Sequence, residues 1–236
     1  MERFVADSSP DDALARGVRW LVERAADGAD AAIAASSVVS IENLAGAIGR
    51  ERAEEAKTHR RVQIDGAILQ IIIDRKRPVR FRGSILVPWA NEAMLAAAEA
   101  LEPTAICATS WVTGELDRWK EAFAPIDLSE GPPEREPAQA PSPIRGLVAG
   151  LADVLHPLDK KRALTALRAI RQEDIEVDPV LTRAAAIEAR WAPRAADRLR
   201  DLAERVTSGR PVRGAEALGR RQQRQLVERL TAAAPS

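Results

Sequence analysis

The chain has 236 residues, enough for one large domain or for two ordinary ones that each bury a core. Hydrophobic residues make up 46% and charged residues 30% of it, which is typical of globular proteins and excludes a wholly disordered chain. The formal net charge is zero, yet residues 1–140 carry about −6 and residues 141–236 about +6. We therefore expect partners to meet two halves of opposite charge.

No membrane span or leader is predicted, because no basic segment precedes an apolar run and no stretch reaches roughly 18 uncharged apolar residues. The single cysteine, Cys107, lies in an apolar run, where a buried and reduced thiol is expected. Both observations favour a cytoplasmic protein without disulfides.

The first predicted element is a helix that begins after Ser9 and keeps apolar residues at helical spacing as far as Ala25. A short apolar strand at residues 31–35 follows. The next segment, from Ile41 to about Lys57, is predicted as one helix capped by Ser40.

A β-hairpin is predicted for residues 62–73, where two β-branched runs flank Asp65 and Gly66. Asp-Gly tolerates the positive φ values of a type I′ turn, so this pair marks the turn. The α/β part of the chain is therefore expected to contain one antiparallel piece.

Two similar strand-helix units come next, and each has a tryptophan directly after the strand. Trp89 is followed by Asn91 as the cap of a helix, and Trp111 is followed by Thr113 in the same role. Strands that alternate with helices of about ten residues predict parallel β-α units. The fold class is therefore a Rossmann-like α/β domain, a mostly parallel sheet with one hairpin, followed by a small all-α domain.

The clearest boundary is residues 129–143, where five prolines in fifteen residues leave no apolar periodicity. We predict a Rossmann-like domain at 1–128, this proline-rich linker, and a helical domain at 144–236. An exposed linker opens before packed helices do, so trypsin is expected to cut first at Arg135.

Within the helical domain, segments 180–190 and 194–206 have the length of a helix-turn-helix, with Trp191 in the break between them. Helical hairpins of this size also occur without any role in DNA binding. Arg194, Arg198 and Arg205 share one face of the second helix, as phosphate contacts would.

A ladder of ion pairs through Asp201, which lies on the same face, explains those arginines equally well. A second basic cluster lies between the hairpin and the next strand, and it favours either phosphate binding or a solvated loop and sheet-edge strand protected by charge and proline. The cluster comprises Arg75, Lys76, Arg77, Arg80 and Arg82.

The motifs of the common enzyme classes are missing, among them the P-loop, the dinucleotide fingerprint and the nucleophile elbow. The two histidines, His59 and His156, have no companion ligand at metal spacing and are expected at the surface or as caps. No metal, cofactor or catalytic residue is predicted, and the balance is against an enzyme.

The candidate ligand site lies at the carboxyl edge of the sheet, where open α/β sheets bind ligands. Indole faces, hydroxyls and helix starts meet there and would suit a nucleotide-like ligand, although both indoles could equally close the end of the core. The candidate residues are Ser36, Ser37, Trp89, Asn91, Trp111 and Thr113.

The strand-tryptophan pairs, the segment His156-Pro-Leu-Asp-Lys160 and residues 177–213 resemble a group of uncharacterised bacterial proteins that combine the same two modules. The resemblance covers most of residues 30–213. It implies a bacterial source and a recurring pairing of domains, and it carries no activity.

These observations favour a non-catalytic binding or regulatory protein whose helical domain docks on nucleic acid or on a protein partner. The alternative is an enzyme or sensor that takes a nucleotide-like ligand at the carboxyl edge of the sheet.

Overall fold

The computed structural model describes residues 1–6, 9–26, 28–73, 80–112, 114–132, 136–151, 156–208 and 214–235. The chain divides into two compact units, Met1–Glu136 and Pro137–Ser236. The first unit is built on a β-sheet, and the described residues of the second form helices and loops only.

The first unit alternates strands and helices as predicted. Its elements are β1 (Glu2–Ala6), α1 (Pro10–Ala26), β2 (Ala31–Ala35), α2 (Val38–Glu42), α3 (Ala45–Ile48), α4 (Arg50–His59), β3 (Arg61–Ile64), β4 (Ala67–Ile73), β5 (Ser84–Val87), α5 (Glu92–Glu99), β6 (Ala105–Thr109), α6 (Asp117–Phe123) and β7 (Ile126–Asp127).

These strands form a seven-stranded sheet in the order β3-β4-β2-β5-β6-β1-β7. Every neighbouring pair is parallel except β3 and β4. The prediction of a Rossmann-like, mostly parallel sheet with one hairpin is confirmed. Asp65 and Gly66 join β3 to β4 with φ values of 50° and 89°, as a type I′ turn requires.

Successive residues of a strand point to opposite sides of the sheet, so the sheet has two apolar faces, and helices cover both of them. Ile33 belongs to a core that α1, α2, α3 and α4 complete, while its neighbour Ala32 belongs to a core completed by α5 and α6. The chain therefore leaves β2 toward one face and β5 toward the other.

Several parts of this unit differ from the sequence analysis. Strand β7 was not predicted, and α6 begins at Asp117 with Leu116 at the cap position, so the prediction that Thr113 caps this helix is wrong. Strand β1 was not predicted, since its five residues include the charged Glu2 and Arg3. The predicted helix at 41–57 is three short helices, because Gly49, at φ 88°, separates α3 from α4. The cap at its start is Ser37 rather than Ser40: the Ser40 backbone N–H donates to Ser37 Oγ.

The second unit contains five helices among its described residues, and they enclose one apolar core. They are α7 (Ser142–Ala149), α8 (Pro157–Gln172), α9 (Pro179–Glu188), α10 (Pro193–Thr207) and α11 (Arg220–Ala232). Proline occupies the first position of α8, α9 and α10, where no backbone donor is needed. His156 caps α8, one of the two roles predicted for it.

The proline-rich stretch at 129–143 is structured at both ends. Gly131 forms a bridge with Asp127. At the other end Ala140 is buried in the helical core, and α7 already begins at Ser142, so this unit starts before the predicted residue 144. Arg135 lies outside the described residues. No helix in the described part of the chain is both long and apolar enough to cross a membrane.

Candidate functional site

Three of the strands that precede the candidate residues are neighbours in the sheet. Strands β2, β5 and β6 lie side by side and are parallel, so their carboxyl ends meet at one edge. Ser36 and Ser37 directly follow β2, Trp89 follows β5 and Trp111 follows β6. The fold therefore brings these residues to one edge, and Thr113 lies outside the described residues.

The two tryptophans of this edge contact each other. The ring centroids of Trp89 and Trp111 are 5.6 Å apart with an interplanar angle of 67°, an edge-to-face pair. Trp89 is half-buried against the core, whereas Trp111 is 57% exposed. One indole thus closes the end of the core, and the other offers surface to solvent.

The turn after β5 holds Trp89 in an unusual backbone conformation, with φ at +50°. The other described non-glycine residues at positive φ lie in the hairpin turn or within three residues of a helix end. A bulky residue in this region is strained, and such strain is concentrated at functional sites. This conformation is not evident from the sequence, because the left-handed region disfavours tryptophan.

Strand β6 fixes this strained turn from the side. The backbone N–H of Trp89 donates to Thr109 Oγ1 at 3.2 Å, and the Ala90 N–H donates to the Thr109 carbonyl at 2.7 Å. Thr109 itself is fully buried. The strand-turn-helix connection is therefore held by two hydrogen bonds to the neighbouring strand.

The junction of β2 and β5 is a topological switch point. The chain runs from β2 into helices on one face and from β5 into α5 on the other, the arrangement that in open α/β sheets opens a crevice outside the carboxyl ends of the strands. Asn91 caps α5 as predicted, since its Oδ1 accepts the Met94 N–H at 2.9 Å. Ligands of open α/β sheets bind at such crevices.

The serines at the end of β2 are joined by hydrogen bonds among themselves. Ser40 Oγ lies 2.6 Å from Ser36 Oγ and 2.9 Å from Ser37 Oγ. No carboxylate or imidazole hydrogen-bonds to these three hydroxyls within the described chain, so nothing there activates one as a nucleophile. They can serve a ligand as donors and acceptors.

Exposed apolar side chains at the same edge were missed by the sequence analysis. Val38 and Val39 follow the serines at 38% and 65% exposure, and Val112, next to Trp111, is 58% exposed. The only sequence signal was a pair of valines inside a serine-rich turn. The edge therefore combines hydroxyls with apolar surface, as small-molecule sites do.

The basic cluster before β5 is only partly described, since Arg75, Lys76 and Arg77 lie outside the described residues. Arg80 Nε lies 3.0 Å from Glu102 Oε2, with both side chains exposed, and Arg82 is exposed. The described residues of this cluster, Arg80 and Arg82, lie in an exposed loop as expected, whereas the expected edge strand is not found among them. They contain no strand, and β5, which follows, lies between β2 and β6.

Helix α10 exposes the three arginines that the sequence analysis selected, Arg194, Arg198 and Arg205. The predicted ion-pair ladder is not formed: Asp201 pairs with Arg200 at 3.2 Å, and none of the three arginines has a carboxylate partner among the described residues. The opposite face of the helix is buried in the core, as its spacing predicted.

Cys107 lies in the middle of the sheet and is fully buried, as predicted. Burial raises the pKa of its thiol well above the ordinary value, with a smaller contribution from the Asp127 carboxylate. The thiol is therefore a structural part of the core.

Comparison with known proteins concerns the helical unit. Residues 139–230, less than half of the chain, match a family model described as Domain of unknown function (DUF1889). No curated protein and no solved structure matches the chain. The family match supports the expectation of an uncharacterised domain in this part of the chain, and the structure shows that its described residues are helical.

Proposed function

We propose that the α/β unit is a non-catalytic binding module that takes a planar, nucleotide-like ligand at the carboxyl edge of its sheet. The observation that carries the proposal is the strained Trp89, whose ring contacts the exposed ring of Trp111 at the switch point. Because two backbone hydrogen bonds hold this turn, little ordering entropy is lost on binding.

The chemistry of the edge suits a base and its polar substituents. Stacking of a base on an aromatic side chain contributes about 1–3 kcal/mol, and the exposed indole of Trp111 offers such a face. The hydroxyls of Ser36 and Ser37 can hydrogen-bond to sugar or phosphate oxygens.

A thermal-shift screen of the full chain with nucleotides and nucleosides tests this proposal. A ligand at a hundred times its dissociation constant should stabilise the α/β unit by about 2.7 kcal/mol. Trp111→Ala should weaken binding by about tenfold, from the loss of about 1.4 kcal/mol of stacking, and should lower the stability of the unliganded protein by about 1 kcal/mol, because the edge-to-face contact with Trp89 is lost.

Val112→Ala is the matched control, because it removes an exposed apolar neighbour without removing a ring. A screen in which no nucleotide shifts the melting temperature, or equal affinities for the two variants, contradicts the proposal.

A second binding function is favoured by a separate observation in the helical unit. We propose that this unit docks on nucleic acid through Arg194, Arg198 and Arg205, which are exposed and have no carboxylate partner among the described residues. Residues 141–236 carry about +6 in formal charge, which adds a general attraction for phosphates.

Salt dependence of duplex DNA binding by the full chain tests this second function. Each lost phosphate contact should reduce the slope of log affinity against log salt by about 0.9. Arg198→Ala is expected to show that loss, whereas Arg200→Ala, which removes a charge already paired with Asp201, should change the slope less. Absence of binding at low salt overturns the proposal.

The basic cluster before β5 is a further candidate for phosphate contact. Its described members are Arg82, which is exposed, and Arg80, which is paired with Glu102. We expect Arg82→Ala to reduce the same salt slope if the cluster contributes, and to leave it unchanged if only the helical unit binds.

We also propose a bacterial, cytoplasmic setting for the protein. The sequence resemblance to bacterial proteins supports the source, and a buried, reduced Cys107 is compatible with a reducing compartment. A protein partner for the helical unit involves a different surface.

A further inference from the structure

The helical unit contains an open groove between α8 and α11, with a volume of about 470 Å³. On the α8 side the groove is lined by Leu158, Lys161, Arg162 and Thr165. These positions are spaced i, i+3, i+4 and i+7, so they form one stripe about two turns long, roughly 10 Å at 1.5 Å per residue.

Helix α11 contributes a stripe with the same spacing. Its lining residues are Gln222, Gln225, Leu226 and Arg229, again at i, i+3, i+4 and i+7. Two helices that present matching two-turn stripes across a groove are the geometry by which proteins receive a third, amphipathic helix. The cavity volume also falls within the range of preformed binding sites.

The groove has apolar side chains that stay partly exposed, including Leu226, which also packs against the core of the unit. Leu158 is 62% exposed, and Leu218 and Leu226 are only partly buried. Leu158 is also the one large apolar side chain that is exposed among the described residues of this unit. An apolar partner surface would remove these leucines from water.

The charges that line the groove are mostly positive, with Lys161, Arg162 and Arg229 against the single carboxylate of Glu216. Lys161 Nζ lies 2.7 Å from Glu216 Oε1. Arg229 has no carboxylate partner among the described residues. Arg162 Nη1 lies 3.6 Å from Asp159 Oδ1, so, of the lining cations that the structure describes, the one without a carboxylate partner is Arg229, and its charge favours an acidic partner.

Glu216 shows how such an acidic side chain sits against the groove. Its backbone N–H donates to Thr165 Oγ1 at 2.9 Å, and its carboxylate accepts from Lys161. The hydrogen bond from Lys161 lowers the pKa of the Glu216 carboxyl below its ordinary value. The groove already binds one carboxylate of its own chain at its rim.

We propose that this groove binds a short acidic amphipathic helix of a protein partner, with its apolar side chains over Leu158 and Leu226 and a carboxylate at Arg229. The proposal is independent of the carboxyl edge of the sheet and of the arginines on α10. It identifies the groove as a protein-binding surface of the helical unit.

Fluorescence anisotropy with the full chain and synthetic peptides tests the proposal. The probe is a labelled peptide of about twelve residues, near the shortest length that forms a helix, with leucines at i, i+3, i+4 and i+7 and glutamates elsewhere. One comparison peptide replaces the glutamates by lysines, and another scrambles the order. We expect the acidic amphipathic peptide to bind at least about tenfold tighter than either, because both charge and apolar spacing match.

Two substitutions in the groove and one outside it locate the site. Leu158→Glu and Arg229→Glu should each weaken binding by about tenfold, through an unfavourable charge over apolar surface and through repulsion. Arg221→Glu makes the same charge change on an exposed α11 residue outside the groove lining and should change affinity less than threefold, as screened charges do. Leu158 is mostly exposed, so its replacement should leave the melting temperature unchanged.

Equal affinity for the acidic and basic peptides, or binding that Leu158→Glu leaves intact, would overturn the proposal. Decanoate that binds more tightly than the acidic peptide, with the same loss in Leu158→Glu, would assign the cavity to a small anionic ligand and also overturn it. Neither result affects the salt dependence of DNA binding measured for Arg198→Ala, nor the nucleotide screen. The three proposals can therefore be refuted independently of one another.

Discussion

Helices α7 and α11 approach each other closely enough that their backbones meet at Gly146. A Cβ atom at this position would lie 1.7 Å from the Leu230 carbonyl oxygen, 2.7 Å from its carbonyl carbon and 3.2 Å from the Ala234 nitrogen. Real Cβ contacts essentially never fall below 3.0 Å, so Gly146→Ala requires the helices to separate by more than an ångström.

The expected loss of stability in Gly146→Ala follows from the nature of the obstacle, the Leu230 backbone. The obstacle is backbone, which has no alternative rotamer, so the overpacking cost belongs near the top of the usual range of about 1–3 kcal/mol. Alanine's better helix propensity returns about 1 kcal/mol, so we expect a net loss of about 2 kcal/mol. Urea unfolding followed by circular dichroism measures it, and hydrogen exchange should show faster exchange in α7 and α11.

Gly46→Ala is the control, since no atom lies within 4 Å of a Cβ at that helical position. It should be neutral or stabilising by up to about 1 kcal/mol. If Gly146→Ala were as stable as the wild type, the close backbone contact between α7 and α11 would be refuted.

Four further outcomes are expected. Glu99→Ala should lower the free energy of unfolding by about 3 kcal/mol, since it leaves the mostly buried Arg3 on β1 without its carboxylate partner. Glu102→Ala removes only the exposed ion pair with Arg80 and should cost under about 1 kcal/mol, and urea unfolding measures both variants. Trp89→Gly should be more stable than Trp89→Ala by about 1 kcal/mol in the same assay, because only glycine accepts φ of +50° without strain. The pKa of the Glu216 carboxyl is lower in the folded than in the unfolded chain, so this residue stabilises the fold above its unfolded pKa. That stabilisation should be lost as the pH falls through the folded pKa, and NMR titration should place the folded pKa below that of an ordinary glutamate. Limited trypsin digestion should cut first at Arg135; a first cut inside the sheet would contradict the proposed linker.

The order of the strands shows where sequence reasoning stops. Local patterns predicted the strands before Ser36, Trp89 and Trp111, because a short apolar run bounded by turn residues is a local signal. That these strands are neighbours, with a switch point between β2 and β5, depends on long-range pairing that no local pattern encodes. The residues of the site could therefore be predicted from the sequence, whereas their proximity in space could be seen only in the three-dimensional structure.

Other features were hidden because the tertiary structure overrides a local preference. Nothing in the sequence indicates that a tryptophan occupies the left-handed region; the hydrogen bonds from Trp89 and Ala90 to Thr109 hold it there. In α10 the spacing correctly predicted the exposed arginines but gave the wrong partner for Asp201, since helical spacing admits several pairs and side-chain rotamers choose among them.

The two surfaces that we propose on the helical unit differ in the means by which they would select anions. The arginines of α10 are accompanied by no exposed large apolar side chain among the described residues, so a partner held there is held by charge alone and should be released as salt shortens the screening length. The groove of α8 and α11 adds Leu158 and Leu226 beneath its cations, and burial of apolar surface is not weakened by screening. A partner of the groove should therefore survive salt concentrations that remove a partner of α10, and raising the salt separates the two surfaces within one protein.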